Sequence, residues 1–158
     1  MTEAQTQPQT VVAFDEVKNL IGKSLGHSAW REITQEQVNT FADATGDHQW
    51  IHVDPERATK ESPFGGPIAH GYLTLSLLVP LFGSVLRVTD TVMGVNYGLN
   101  KVRFPSPVPV GAKVRLTATL AGIEDIAGGK QLTFSCVIER EGGDKPVCIA
   151  EWVTRTYA

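Results

Sequence analysis

Residues 71–86 read GYLTLSLLVPLFGSVL, and plotted at helical spacing their apolar side chains fall on nearly every face. A helix with no polar face cannot lie on a surface and must be buried on all sides. A membrane is the wrong burial medium here. The apolar run over 72–88 is short, is interrupted by Pro80 and Gly83, and meets Arg87 near its end. The cover must therefore come from the rest of the chain, and 158 residues are enough to form one domain with a real core.

The second half of the sequence supplies that cover. Residues 92–102, 113–124, 130–141 and 146–156 are rich in Val, Thr, Ile and Leu, and are separated by "PSPVPVG", "AGG" and "EGGDKP". Such runs between Pro- and Gly-rich turns predict four long strands in an antiparallel meander. An extended segment over 25–33 adds a fifth. A sheet of this size with one helix apolar all round implies an α+β class, the sheet wrapping the helix. No composition shift marks a linker, so residues 13–158 read as a single domain. Residues 1–12 are polar and rich in Gln and Thr, carry no secretory signal, and read as a loose tail.

Shorter helices precede the apolar one. Phe14, Val17, Leu20 and Ile21 have helical spacing before a stop at Gly22. In "TQEQVNTFADATG", Thr34 as N-cap with Gln37 three residues on predicts a capping box, and Gly46 a C-terminal stop. Asp54-Pro55 predicts a further start, Asp capping and Pro in the first turn. The formal net charge of −3 offers no broad basic surface for nucleic acid or anionic lipid. Cys136 and Cys148 fall on predicted strands outside any CxxC or Cys/His pattern, and read as reduced core thiols of a cytoplasmic protein, with a disulfide between adjacent strands as the alternative.

Between the predicted helices lies "TGDHQWIHVD", with two aspartates, two histidines and a tryptophan in ten positions. Asp47 and His52 sit in a connecting segment, where function concentrates. A carboxylate and an imidazole held together can bind one water and move its proton, because histidine titrates near neutrality. A second piece is "PIAHGYL" over 67–73. In a helix starting at Gly71 the first N–H groups lack intrahelical acceptors, and a residue without Cβ lets a ligand carbonyl approach, giving a backbone oxyanion site. Each residue also has a plainer reading. Asp47 could cap a turn and His52 could be a satisfied half-buried histidine. His70 reads as structural, fixing the helix entrance, with a ligand role as the alternative, and Asp54 as an N-cap. His27 and His48 read as exposed, and Tyr72, Leu75, Leu78 and Leu81 as core. Trp30 and Trp152 read as sheet packing, and Pro80 as a kink.

"FADATGDHQWIHVDPERA" followed by "FGGPIAHGYLTLSLL" resembles the MaoC-like (R)-specific enoyl-CoA hydratases, also called hydratase 2, and "NYGLNKVRFPSPVPVG" resembles that family's next strand and turn. The similarity spans about residues 15–157 and is nearest to single-domain bacterial members of mycobacterial type. It implies the hotdog fold, a curved antiparallel sheet of about five or six strands around a long central helix. It also implies a homodimer joined at sheet edges. Asp47 and His52 carry over as the catalytic pair, and Gly71 as N–H donor to the thioester carbonyl. The family's Asn-Pro is Gln49-Trp50 here; Gln49 keeps the amide, and Trp50 reshapes the loop or lines the acyl pocket. Lys101 and Arg103 share one strand face and are candidates for the CoA diphosphate. The implied reaction adds water to a trans-2-enoyl-CoA, or to the acyl carrier protein thioester, giving the (R)-3-hydroxyacyl product without metal or cofactor. The alternatives are a hotdog thioesterase and a non-catalytic acyl-CoA-binding or partner subunit. Acyl length and the acid and base roles are open at this point.

Overall fold

A computed structural model describes residues 7–158. Residues 1–6 of the tail expected over 1–12 lie outside the described residues. Thr10–Ala13 (β1) depart from that expectation, since they form a strand paired in parallel with Leu86–Thr89 (β4). Here Val11, Val12 and Ala13, apolar and partly β-branched, find a ladder partner in the run that follows the central helix.

The main sheet contains Ser24–His27 (β2), Arg31–Glu32 (β3), Met93–Arg103 (β5), Lys113–Ile126 (β6), Gly129–Arg140 (β7) and Cys148–Tyr157 (β8). Its order is β2-β6-β7-β8-β5, with β3 also on β6, and every pairing is antiparallel. The four predicted long strands are present, the extended segment expected over 25–33 is split into the short β2 and β3, and the meander is limited to β6-β7-β8. β5 joins the far edge beside β8 because Pro105, Pro107 and Pro109 keep the following chain from turning back as a hairpin. That chain bonds to the segment before the central helix: Ala69 N–H donates to Val108 O at 2.8 Å and Val110 N–H to Pro67 O at 3.0 Å.

Alternate residues of the meander point inward: Val114, Leu116, Ala118 and Leu120 on β6, Leu132, Phe134, Cys136 and Ile138 on β7, and Cys148, Ala150 and Trp152 on β8. They close over Leu73, Leu77, Leu78 and Leu81, all buried in the same cluster. The helix that bears these leucines is not continuous over 71–86. It forms Gly71–Ser76 (α4) and Leu78–Phe82 (α5), broken at Leu77, and Leu86 already belongs to β4. Pro80 has no N–H to give the carbonyl of Ser76, and its ring crowds that carbonyl, so the ladder fails where α4 stops. Nor is the helix buried all round: Tyr72 is 74% and Val79 54% exposed. Phe82 inserts between Phe134 and Trp152, edge-on to both, with centroids 4.7 and 5.2 Å apart.

The local stop signals are found as predicted, with one change of type. The segment Phe14–Leu20 is a 3-10 helix rather than an α-helix. Gln35–Thr45 (α1) starts with the Thr34 hydroxyl accepting from Gln37 N–H at 3.1 Å and ends at Gly46 with φ 84°. Trp50–Val53 (α2) and Pro55–Glu61 (α3) follow, and Asp54 caps α3 by accepting from Arg57 N–H at 3.0 Å. Cys136 and Cys148 are free and buried, and burial pushes their thiols up to about 12 and about 11. Trp152 packs in the sheet as expected. Trp30 does not: it lies between β2 and β3, 37% exposed, beneath the guanidinium of Arg115. No described helix is long and apolar enough to cross a membrane.

Phe134 is 1% exposed at the centre of this packing. Phe134→Ala should lower unfolding free energy by about 3–5 kcal/mol in urea titration, because the rigid sheet cannot close over the void.

Candidate active site

α1 ends at Gly46 because only a left-handed residue lets the chain leave the helix there. The next residue, Asp47, stays at the surface with its side chain half exposed. One carboxylate oxygen, Oδ1, accepts from Gln49 N–H at 3.3 Å, an Asx turn that aims the other oxygen away from the backbone. Gln49 is the N-cap of α2, and the first turn of α2 carries His52 into the interior, where it is 7% exposed.

Two segments far apart in sequence meet at this histidine. Ile68 N–H donates to Ile51 O at 3.0 Å, and His52 Nδ1–H donates to Ile68 O at 2.6 Å. A carbonyl only accepts, so His52 carries its proton on Nδ1 and, when neutral, presents a bare Nε2 lone pair. Burial is the main influence on this ring and pushes its pKa below the ordinary 6.5; the Ile68 carbonyl opposes it, His70 adds to it, and Asp47 opposes it. Gln35, at the start of α1, donates through Nε2 to His52 O at 2.8 Å and fixes the backbone as well.

His70, read from sequence as structural, lies at the centre of the arrangement. Its ring is buried, stacks on His52 with centroids 3.9 Å apart, and donates from Nε2 to Asp47 O at 3.0 Å. One ring nitrogen each of His52 and His70 and a carboxylate oxygen of Asp47 fall within 4.8 Å of one another. As a metal set the trio fits badly. His52 Nδ1 and His70 Nε2 are taken by carbonyls, and His70 Nδ1 is enclosed. The arrangement suits proton transfer at a water placed between Asp47 and His52.

Gly71 opens α4 directly after His70, and its N–H has no intrahelical acceptor. A Cβ here would sit 3.3 Å from the ring of Phe104, so packing as well as ligand access favours glycine. Trp50 lies under the Arg57 guanidinium, 4.3 Å from the ring centroid, and braces α2 against α3. Lys101 and Arg103 flank Val102, which packs on the core, so they occupy the outer face of β5. They do not join the dyad, although the next residue, Phe104, reaches Gly71. His27 and His48 are exposed, and Asp54 is an N-cap. A cleft of about 1160 Å³ beside Trp30, Arg31, Val79 and Arg87 contains none of these groups. Gln35 and the Ile68 carbonyl were not found from sequence; the first looks like an ordinary helix-start residue and the second has no side-chain signal.

The fold is the hotdog type, an antiparallel sheet curved around a central helix, and the candidate site places Asp47 and His52 beside the start of that helix. The family described as "MaoC like domain" matches residues 16–140. A 3-hydroxyacyl-thioester dehydratase Z from Mycobacterium tuberculosis is 54% identical over 149 residues, covering 92% of this chain and 98% of that protein. Among solved structures, a MaoC-like dehydratase from Rhodospirillum rubrum superposes with TM-score 0.74 at 21% identity, covering 89% of this chain and 95% of the other. An (R)-hydratase from A. caviae superposes with TM-score 0.67 at 25% identity, covering 85% and 94%. The chain belongs to the MaoC-like dehydratase family, and its class is that of the hydro-lyases.

The direction of the His52 shift fixes a pH dependence. Above pH 6.5 the ring is neutral in both folded and unfolded chains and contributes nothing. As pH falls through 6.5 the unfolded chain binds the proton first, so stability is lost down to the lowered folded value. Between about pH 7.5 and about pH 5.5, His52→Gln should lose less thermal stability than wild type by calorimetry.

Proposed function

We propose that the chain is an (R)-specific enoyl-CoA hydratase, adding water reversibly to a trans-2-enoyl-CoA to give the (R)-3-hydroxyacyl-CoA. The observation that carries this reading is the fixed tautomer of His52, bare at Nε2, in a ring that has one nitrogen within 4.8 Å of an oxygen of the half-exposed Asp47 carboxylate. In the proposed reaction one water sits between Asp47 and His52, over C3 of the enoyl thioester. As its oxygen bonds to C3, its proton passes to His52 Nε2 and the C2–C3 π electrons move onto the thioester oxygen. Gly71 N–H accepts that developing charge as a hydrogen-bond donor, an effect worth about 3 kcal/mol for one aimed donor. The His52 proton then goes to C2, the thioester carbonyl reforms, and histidine returns to neutral. Both additions occur on one face because one pair handles both. No metal or cofactor enters these steps.

In this reading Gln49 holds the Asp47 turn, Trp50 shapes the mouth of the site through its contact with Arg57, and Lys101 and Arg103 hold the CoA phosphates as surface cations. An acyl carrier protein thioester would use the same chemistry. Residues 13–158 act as one cytoplasmic MaoC-like unit, and the functional form is a homodimer. β5 is an edge strand with Met93 53%, Tyr97 55% and Leu99 40% exposed, an apolar edge that a second copy would cover. Leu99→Asp should shift the protein to monomer in sedimentation velocity, whereas a wild-type monomer would refute the assembly.

The test of the reaction follows loss of enoyl absorbance with crotonyl-CoA and a longer trans-2-enoyl-CoA. Wild type should produce the (R)-3-hydroxy product, while Asp47→Asn and His52→Gln should each lose at least ~100-fold in kcat. Free thiol release instead of enoyl loss would favour the thioesterase reading, and binding without turnover the partner-subunit reading.

A further inference from the structure

We propose that His70 is a positioning residue of this site, holding the Asp47 segment and the plane of the His52 ring to the start of α4 by two separable contacts. The proposal rests on the hydration reading above for its kinetic arm, and on geometry alone for the rest. His70 is 2% exposed, so its ring is almost wholly withdrawn from solvent. Its ring is gripped on two sides, by His52 stacked at 3.9 Å with planes 26° apart and by Phe41 of α1 at 4.8 Å. Its edge donates from Nε2 to the carbonyl of Asp47 at 3.0 Å. The peptide that follows is the one whose N–H belongs to Gly71. One side chain therefore links the carboxylate, the imidazole and the backbone donor.

A simple packing role does not explain the residue. With Nε2–H donated to a carbonyl, the neutral ring leaves Nδ1 bare, and that nitrogen is buried with no partner. An unmatched buried acceptor is costly and calls for a reason. Phenylalanine would keep the flat face without that cost, but would lose the bond to Asp47. Asparagine would keep a donor but lose the face on which His52 lies. Among side chains of this size, only histidine supplies a flat ring and an edge N–H together, and both are used here.

The two contacts can be cut one at a time. His70→Phe should keep the stack and free the Asp47 segment, while His70→Asn should keep a donor and free the His52 ring. Each should lower kcat for crotonyl-CoA at least ~10-fold with KM within ~3-fold, because alignment and not binding is lost. The groups facing His52 are Asp47 from the α1–α2 segment and His70 itself; Gln35 and the Ile68 carbonyl are uncharged. Loss of the ring beneath it lets water reach His52, so in His70→Asn the acid limb of kcat should move to higher pH by about half a unit or more. A structural residue would lower thermal stability and leave the pH profile in place. Histidine ¹⁵N spectra of the wild type give an arm independent of activity and of variant folding. They should show His70 protonated on Nε2 with Nδ1 bare, and His52 protonated on Nδ1. Folded variants with kcat within ~3-fold of wild type, or a His70 ring protonated on Nδ1, would overturn the proposal. A wild type that hydrates neither substrate would refute the hydratase reading instead, and the spectra would still decide the placement of His70.

Discussion

Burial of the central helix between the arms of the sheet is the constraint from which the other features follow. Leu73, Leu77, Leu78 and Leu81 each gain about 1.5–3 kcal/mol by leaving water, and the inward faces of β6, β7 and β8 supply most of the cluster that receives them. That packing tolerates the break at Pro80, since both helical pieces turn leucines towards the same cluster. It also sets the helix start at a defined place. The segment over 67–69 is bonded on one side to Val108 and Val110 and on the other to Ile51, so Gly71 begins at a fixed point of the rim.

The polar segment over 46–54 is held to that rim by backbone more than by side chains. Ile68 gives its N–H to Ile51 and its carbonyl to His52, while the Asp47 carbonyl receives His70. These bonds use up the donors that would otherwise leave the histidine tautomers free. The chemistry available at His52 Nε2 is thus a consequence of where the central helix starts, and the sheet determines where that is.

Much of this was legible in the chain. Thr34, Gly46 and Asp54-Pro55 act through bonds to their own neighbours, so their roles are local and sequence shows them. The four long strands were readable because runs rich in Val, Thr, Ile and Leu between Pro- and Gly-rich turns are local signals too. What could not be read is set at long range. β5 pairs with β8 because a proline-rich crossing intervenes, and no periodicity in either strand records that choice. The strand at Thr10–Ala13 exists only because β4 lies beside it. Pro80 was visible, but whether a proline kinks a helix or splits it depends on what supports the two halves. His70 appeared merely structural because its partners are a backbone carbonyl and a ring, neither of which leaves a motif.

The Asp/His pair is also separated by environment. His52 is 7% exposed, with one nitrogen committed to a carbonyl, while the side chain of Asp47 is half exposed and commits one oxygen to a turn. Two titratable groups in unlike surroundings are the usual basis for unlike proton roles. Under the proposed reaction the buried, neutral imidazole accepts and returns the proton, and the carboxylate orients the water. The same asymmetry explains why the site looks open in one chain. Water must reach the carboxylate side, yet charge developing on a thioester oxygen is best stabilised where water is excluded. With Tyr72 and Phe104 exposed around Gly71, one chain builds only the floor of such an enclosure. Substrate, and a second copy along the apolar edge of β5, would have to supply the roof.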